Sequence, residues 1–401
     1  MTPSPLGTRL LEELYRPVFR RAWPVWVGAV ALALANLFMF MYARALGVFP
    51  QMSMWGASLY RLAGVKVDGP FLAYPVTPVL RDSHSMICFG ILFGAGISAL
   101  CAEEFKLRRE DWRGYLAGLA GGALMGFGTV LMPPCNVGGF YSATMSLSLS
   151  GPLTVLGLLP GAYVGGLLLQ YQTRSALAVF SFENLESGTP AQVRAPSRQP
   201  YFGLLLTLAL AAAVSGYLRL GLGRCAGLLL FGALFGTIFQ RSRLCFTAAF
   251  REIFISRNGT TMKWILLSIA IGTVGMSLLK AKGYQPMSFI LPVGVHTVVG
   301  AFVFGLGMAI AGGCGIGILW RAAEGYVRAW IAILGGMATA GSWVLIYGHH
   351  VGEGWLYGAP VSLGQKFGWL VGTLLVLGFL AAFYLFIIWI EAGKHANLQS
   401  H

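Results

Sequence analysis

Apolar runs of close to twenty residues, separated by short polar stretches, set the pattern of this chain. They fall at about 24–46, 84–102, 114–132, 152–171, 201–218, 225–240, 264–280, 295–313, 327–347 and 367–391. A bilayer core takes about 20 helical residues per crossing. The pattern therefore predicts an all-α, polytopic membrane bundle of nine or ten spans. Residues 1–22 carry Leu10, Leu11, Leu14 and Val18 at helical spacing and read as a basic amphipathic lead-in. Residues 47–82, with Pro50, Pro70, Pro75 and Pro78, read as an outer segment too polar to span. Residues 172–200, with Pro190, Pro196 and Pro200, read as a linker between halves.

Two of the apolar runs end in an abrupt break around a cysteine. GGALMGFGTVLMPPCNVGG spans Gly121–Gly139, and GAFVFGLGMAIAGGCGIGILWRAAEG spans Gly300–Gly325. Placing Cys135 over Cys314 also aligns Gly121 with Gly300, Gly126 with Gly305, Gly128 with Gly307 and Gly138 with Gly317. Pro133 and Pro134 then stand where Gly312 and Gly313 stand, so each copy carries helix breakers before its cysteine. Gly315 follows Cys314 directly. Such register argues for an internal duplication with re-entrant half-helices at the breaks, and paired interrupted segments point to a transport site. The chain divides accordingly into residues 1–83 (lead-in, first span and outer segment), 84–200 (first repeat and linker), 201–348 (second repeat) and 349–401 (outer loop, last span and tail).

Composition agrees with the pattern. The chain has 401 residues, is 56% hydrophobic and 10% charged, with mean hydropathy +0.70. An ordinary soluble domain is excluded. The net charge of +14 raises nucleic acid as a partner, but its distribution follows membrane topology instead. With the N-terminus inside, the cytoplasmic segments hold 19 of the 28 Lys and Arg, which predicts both termini in the cytoplasm. The segment before Cys135 then runs outward and the one before Cys314 inward, so the repeat is of inverted topology. No secretory signal is expected, because the basic lead-in opens onto a full-length span.

The six cysteines lie in or beside apolar segments without CxxC spacing, which favours neither a zinc site nor a disulfide framework. Cys88, Cys101 and Cys225 read as small buried hydrophobes. Cys135 and Cys314 read as functional because of the repeated breaks. Cys245 sits in a basic stretch with Arg241, Arg243, Thr247 and Arg251. A thiol titrates near ~8.5 in water and higher when buried in apolar surroundings. Such groups remain neutral, polarisable S–H donors suited to a soft anion containing sulfur or selenium. Arg321 and Glu324 fall on one helix face beyond Cys314 and are expected as an internal pair or a cytoplasmic cap. Arg241, Arg243 and Arg251 are expected to form a basic inner mouth. His84 and His296 begin spans and read as interfacial. No Walker motif is present in the sequence, so direct use of ATP is not expected.

PPCNVGGFYSA around Cys135, RLCFTAAFRE around Cys245 and GGCGIGILWRAAEG around Cys314 together resemble the YeeE/YedE family of inner-membrane transporters for sulfur compounds, the YedE branch most. The resemblance implies import of thiosulfate or a related species through a constricted path in a pseudo-symmetric bundle. It also implies a relay through the S–H groups of Cys135, Cys245 and Cys314, no cofactor, and a small cytoplasmic sulfur carrier of the TusA type as partner. The YedE branch is associated with selenium metabolism, so a selenium compound is the alternative cargo. Pro133–Pro134 departs from the glycine-containing pattern expected there. Two other classes remain open: a membrane thiol or persulfide enzyme, for which Cys245 is best placed, and a structural subunit.

Overall fold

In the computed structural model the described residues are 21–64, 78–132, 135–175, 198–284, 289–350 and 358–399. Much of the lead-in, the prolines 70 and 75, Pro133–Pro134 and the middle of the 172–200 linker lie outside them. The elements of the described chain are all helical. In order come α1 (Val25–Tyr42), α2 (Phe49–Leu62), α3 (Ser83–Cys101) and α4 (Trp112–Leu131). A wide π-helical segment, Asn136–Ser142, continues into the short α5 (Ala143–Met145). Then follow α6 (Ser150–Ser175), α7 (Gln199–Arg219), α8 (Gly223–Ser242), α9 (Phe246–Ile255), α10 (Thr260–Ala281) and α11 (Val295–Ala311). The chain closes with α12 (Gly315–Ala323), α13 (Val327–His350), α14 (Leu363–Phe367) and α15 (Trp369–Gln399). Among the described residues nine helical segments are long and apolar enough to cross a membrane, which makes this a multi-pass membrane protein.

Lipid supplies no hydrophobic drive for one apolar helix to seek another, so close packing through small residues holds such a bundle together. Here glycine stripes set the central contacts. α4 and α11 cross antiparallel: Gly121 packs on Gly307, and Gly128 packs on Gly300. A methyl group added at Gly300 would stand 2.6 Å from the Met132 nitrogen, so only glycine admits this approach. On either side of the pair, α6 runs alongside α11 through Gly157, Gly161 and Gly165, and α13 runs alongside α4 through Gly118, Gly122 and Gly126. A second seam joins α3 to α8 through Gly90, Gly94, Gly232 and Gly236. By contrast α7 and α15 turn most of their apolar side chains outward, as lipid-facing helices do.

The sequence reading of residues 47–82 as an outer segment too polar to span did not foresee a helix in its first part. Residues 49–62 form α2, which packs against α13 through Gly56 and Gly341. Its polar positions hid it: Gln51 and Trp55 are buried but meet Asp82 and Ser85, and Trp55 Nε1 donates to Ser85 Oγ at 2.8 Å. Hydropathy marks a residue as loop-like when its polar groups are in fact satisfied inside the protein.

Candidate functional site

Four helical segments begin inside the bundle, and three of them begin at a cysteine. Cys135 caps the π-helical segment, Cys245 precedes α9 and Cys314 precedes α12. Val48 stands in the same position before α2. Contacts bring these starts together. Phe49 lies against Gly315, Tyr141 stacks edge-on with Phe246 at 5.6 Å, and Cys314 lies near both Cys135 and Cys245. A helix start presents unpaired N–H groups and the positive end of the peptide dipoles. The convergence therefore makes a neutral but electropositive centre.

The two breaks share a capping geometry. The Gly138 N–H donates to Cys135 Sγ at 3.5 Å. Cys314 Sγ sits over the Gly317 N–H in the matching position, three residues on. At Cys135 the sulfur accepts from the helix, which leaves its S–H free to donate into the space between the breaks. The sequence-aligned pair Gly138 and Gly317 thus supplies the capping amides. Gly312 ends α11 in the left-handed region, φ 80°, where a side chain would be strained. Gly313 and Gly315 give room for Ile318 and Phe49 respectively. Cys135 and Cys314 are completely buried and Cys245 is 6% exposed, so the line of thiols is closed to bulk solvent at both ends in this state.

Beyond Cys314 the chemistry turns ionic. Arg321 Nη2 approaches Cys245 Sγ at 3.7 Å, and its guanidinium lies over the Trp320 ring at 5.1 Å. The expected Arg321–Glu324 pair does not form. Glu324 is fully buried and instead meets Arg243 Nη1 at 2.7 Å, Gln240 Nε2 at 2.9 Å and Arg108 Nη1 at 3.8 Å. The reason is helical phase: α12 ends at Ala323, and Glu324 turns toward the end of α8. Glu104 completes the cluster, accepting from Gln240 at 2.8 Å, Arg243 at 2.7 Å and Arg241 at 3.3 Å. Arg241 and Arg243 are therefore tied up by carboxylates and do not form an open mouth. Arg251 lies apart, 3.7 Å from Glu252. Among the described residues no carboxylate pairs with Arg321, which leaves its guanidinium as the cation facing the thiols.

At the opposite end the polar groups are mostly uncharged. Asn36 Oδ1 accepts from the Leu46 N–H at 2.8 Å, and Ser142 Oγ donates to the Leu46 carbonyl at 2.6 Å. Lys280 is buried and donates to the Ser146 carbonyl at 2.8 Å, beneath the Phe40 ring. Cys88, buried beside the first break, donates to the Val48 carbonyl at 3.7 Å. His84 meets Asp82 at 3.2 Å, and His296 is buried in the first turn of α11. No group of three or more His, Cys, Asp or Glu that could hold a metal ion occurs among the described residues.

Sequence reasoning overlooked Glu104, Gln240, Arg108 and Asn136. Gln240 carried a usable signal, a polar amide inside an apolar run. Glu104 did not, because it is one acid among many in the charged loop EEFKLRREDWR.

Comparison with known proteins shows the family. Residues 4–164 and 241–401 match the family described as sulphur transport, so both cysteine breaks fall within it. A probable transporter, YedE, of Salmonella typhimurium is 29% identical over 345 residues, covering 82% of this chain and 83% of that protein. The thiosulfate transporter TsuA of Spirochaeta thermophila is 36% identical over 145 residues, 34% of this chain and 42% of that protein. TsuA of Escherichia coli is 38% identical over 108 residues, 26% of this chain and 30% of that protein. With the family match extending over most of its length, the chain belongs to the sulphur-transport family of multi-pass membrane proteins.

Proposed function

We propose that this protein imports thiosulfate, or a related sulfur-containing anion, across the bacterial inner membrane by a relay of S–H donors. The observation that carries the reading is the meeting of three cysteine-headed helix starts with Arg321 beyond them. A neutral thiol donates one weak hydrogen bond to a passing anion and does not trap it as a buried ion pair would. Exposed N–H groups at the helix starts add attraction without a fixed full charge. The anion passes Cys135, Cys314 and Cys245 in turn, and Arg321 draws it toward the ionic end.

That end is cytoplasmic in this reading, as the bias of Lys and Arg along the chain supports. The two halves form an inverted repeat. Its support is the reciprocal contact of Gly121 with Gly307 and Gly128 with Gly300, positions that exchange under the alignment of Cys135 with Cys314. A cytoplasmic carrier of the TusA type accepts the cargo. A selenium anion would use the same donors, because sulfur and selenium differ little in charge distribution at this site.

Proteoliposomes containing only this protein test the reading. Labelled thiosulfate enters, unlabelled sulfate and chloride do not compete, and Cys314→Ala abolishes entry. Competition by selenite at equal concentration assigns the cargo to selenium as well. Absence of uptake with a TusA-like acceptor enclosed in the vesicles sinks the transport assignment.

A further inference from the structure

Buried side-chain amides among the described residues are nearly all bonded. Asn36 bridges α1 to the π-helical segment, Gln51 bonds Asp82, and Gln240 bonds two carboxylates. Asn136 is the exception. It is completely buried, yet its amide bonds no nitrogen or oxygen among the described residues, and the polar group it meets is the Cys314 thiol. Each such buried polar group left unpaired costs about 1–3 kcal/mol, so an orphaned amide calls for an explanation.

Its position supplies one. Asn136 directly follows Cys135 in the chain, and its side chain faces the Cys314 thiol. The amide therefore stands between the two thiols that share the capping geometry. Two other buried donors are also unpaired among the described residues. Thr247 Oγ1 lies in the first turn after Cys245, and Trp320 Nε1 belongs to the ring that carries Arg243 and Arg321.

We propose that Asn136 is a substrate-contacting residue whose Nδ2 donates to the oxygens of an oxygen-bearing sulfur anion held between Cys135 and Cys314. This assignment rests on the transport reading above and deepens it. Thiosulfate has one soft sulfur end and one hard end of three oxygens. A thiol, polarisable and a weak donor, suits the first, and an amide N–H suits the second. Neither end alone distinguishes this anion from an all-oxygen anion or a bare sulfide. A thiol and an amide side by side hold it in one orientation.

Asn136→Leu keeps a similar shape and removes both polar atoms. The full-length protein in detergent is melted with and without thiosulfate, and uptake is measured in proteoliposomes. The expected result has three parts. Without ligand, the variant melts at or above the wild-type temperature, because an unpaired amide has been replaced by an apolar group. The thiosulfate-dependent rise in melting temperature seen in wild type is lost. The KM for thiosulfate rises roughly ten-fold, the loss of about one hydrogen bond to a charged group.

A ligand-free variant that melts well below wild type overturns the proposal, since the amide is then structural. Asn136→Ala, which cannot overpack, separates that outcome from a steric failure of leucine, and the proposal falls only when both variants are destabilised. Wild-type KM and melting shift in the leucine variant also overturn it, while leaving the transport reading intact. A wild-type protein that neither shifts nor transports thiosulfate removes the transport reading, and the Asn136 assignment with it.

Discussion

The two cysteine breaks begin alike and end differently. At each, a buried thiol sits over the glycine three residues on, and at Cys135 it accepts that glycine's N–H. After Cys135 the chain enters a π-helical turn that leads to serines, Met145 and the Ser146 carbonyl held by Lys280. After Cys314 it enters a regular helix leading to Arg321 and the Glu104–Gln240–Arg243–Glu324 cluster. Matched centres with unmatched exits teach that donors for the cargo and the electrostatic slope along the path are supplied separately. In the proposed reading the first comes from the aligned cysteine breaks, and the second from residues outside that alignment.

The sharpest way to break this comparison is to remove one thiol at a time. Cys135→Ala and Cys314→Ala each delete a donor to a charged cargo, about 1.5–3 kcal/mol, or roughly ten- to hundred-fold in uptake rate. Equal losses support equivalent centres, and normal uptake in Cys135→Ala would show that the relay begins at the second break. Next in size is Glu324→Gln. It leaves Arg243 and its neighbours without a buried counter-charge, and because Arg243 is one-third exposed the expected loss is about 2 kcal/mol, below the range for a fully buried pair. Thermal melting reads it directly, and an unchanged midpoint would mean that the cluster is not structural.

Arg321→Leu addresses the slope itself. It should raise the KM for thiosulfate about five-fold by removing the cation that faces the thiols, while leaving the melting temperature within about a degree or two. Uptake by wild type should also weaken more steeply with salt than uptake by this variant. An unchanged KM would return Arg321 to a packing role on Trp320. The smallest effect is expected at Cys88, whose S–H already serves the Val48 carbonyl. Cys88→Ala should cost about 1 kcal/mol of stability and change uptake less than about two-fold; a large loss would add a fourth thiol to the path.

Much of the fold was legible because lipid makes strong demands on sequence. Spans must be apolar and about twenty residues long, so the crossings fell where the hydropathy pattern put them. The breaks were equally legible, since glycines and a cysteine at fixed offsets have little other use. α2 was not, because its buried Gln51 and Trp55 are satisfied by Asp82 and Ser85 from another helix. The pairing of Glu324 was misjudged for the same reason. Spacing along one helix suggested Arg321, and the partner came instead from the end of α8.

The sequence alone thus determined the membrane class, the rough limits of most of the spans, and the two cysteine breaks. These follow from solvent and from local backbone chemistry, which act residue by residue. Only the tertiary structure decided that Arg321 faces the Cys245 thiol without a carboxylate among the described residues, and that the Asn136 amide meets the Cys314 thiol with no nitrogen or oxygen partner among them. Those are statements about distances between segments far apart in the chain. They depend on which helix starts are packed together, and no periodicity along the chain encodes that.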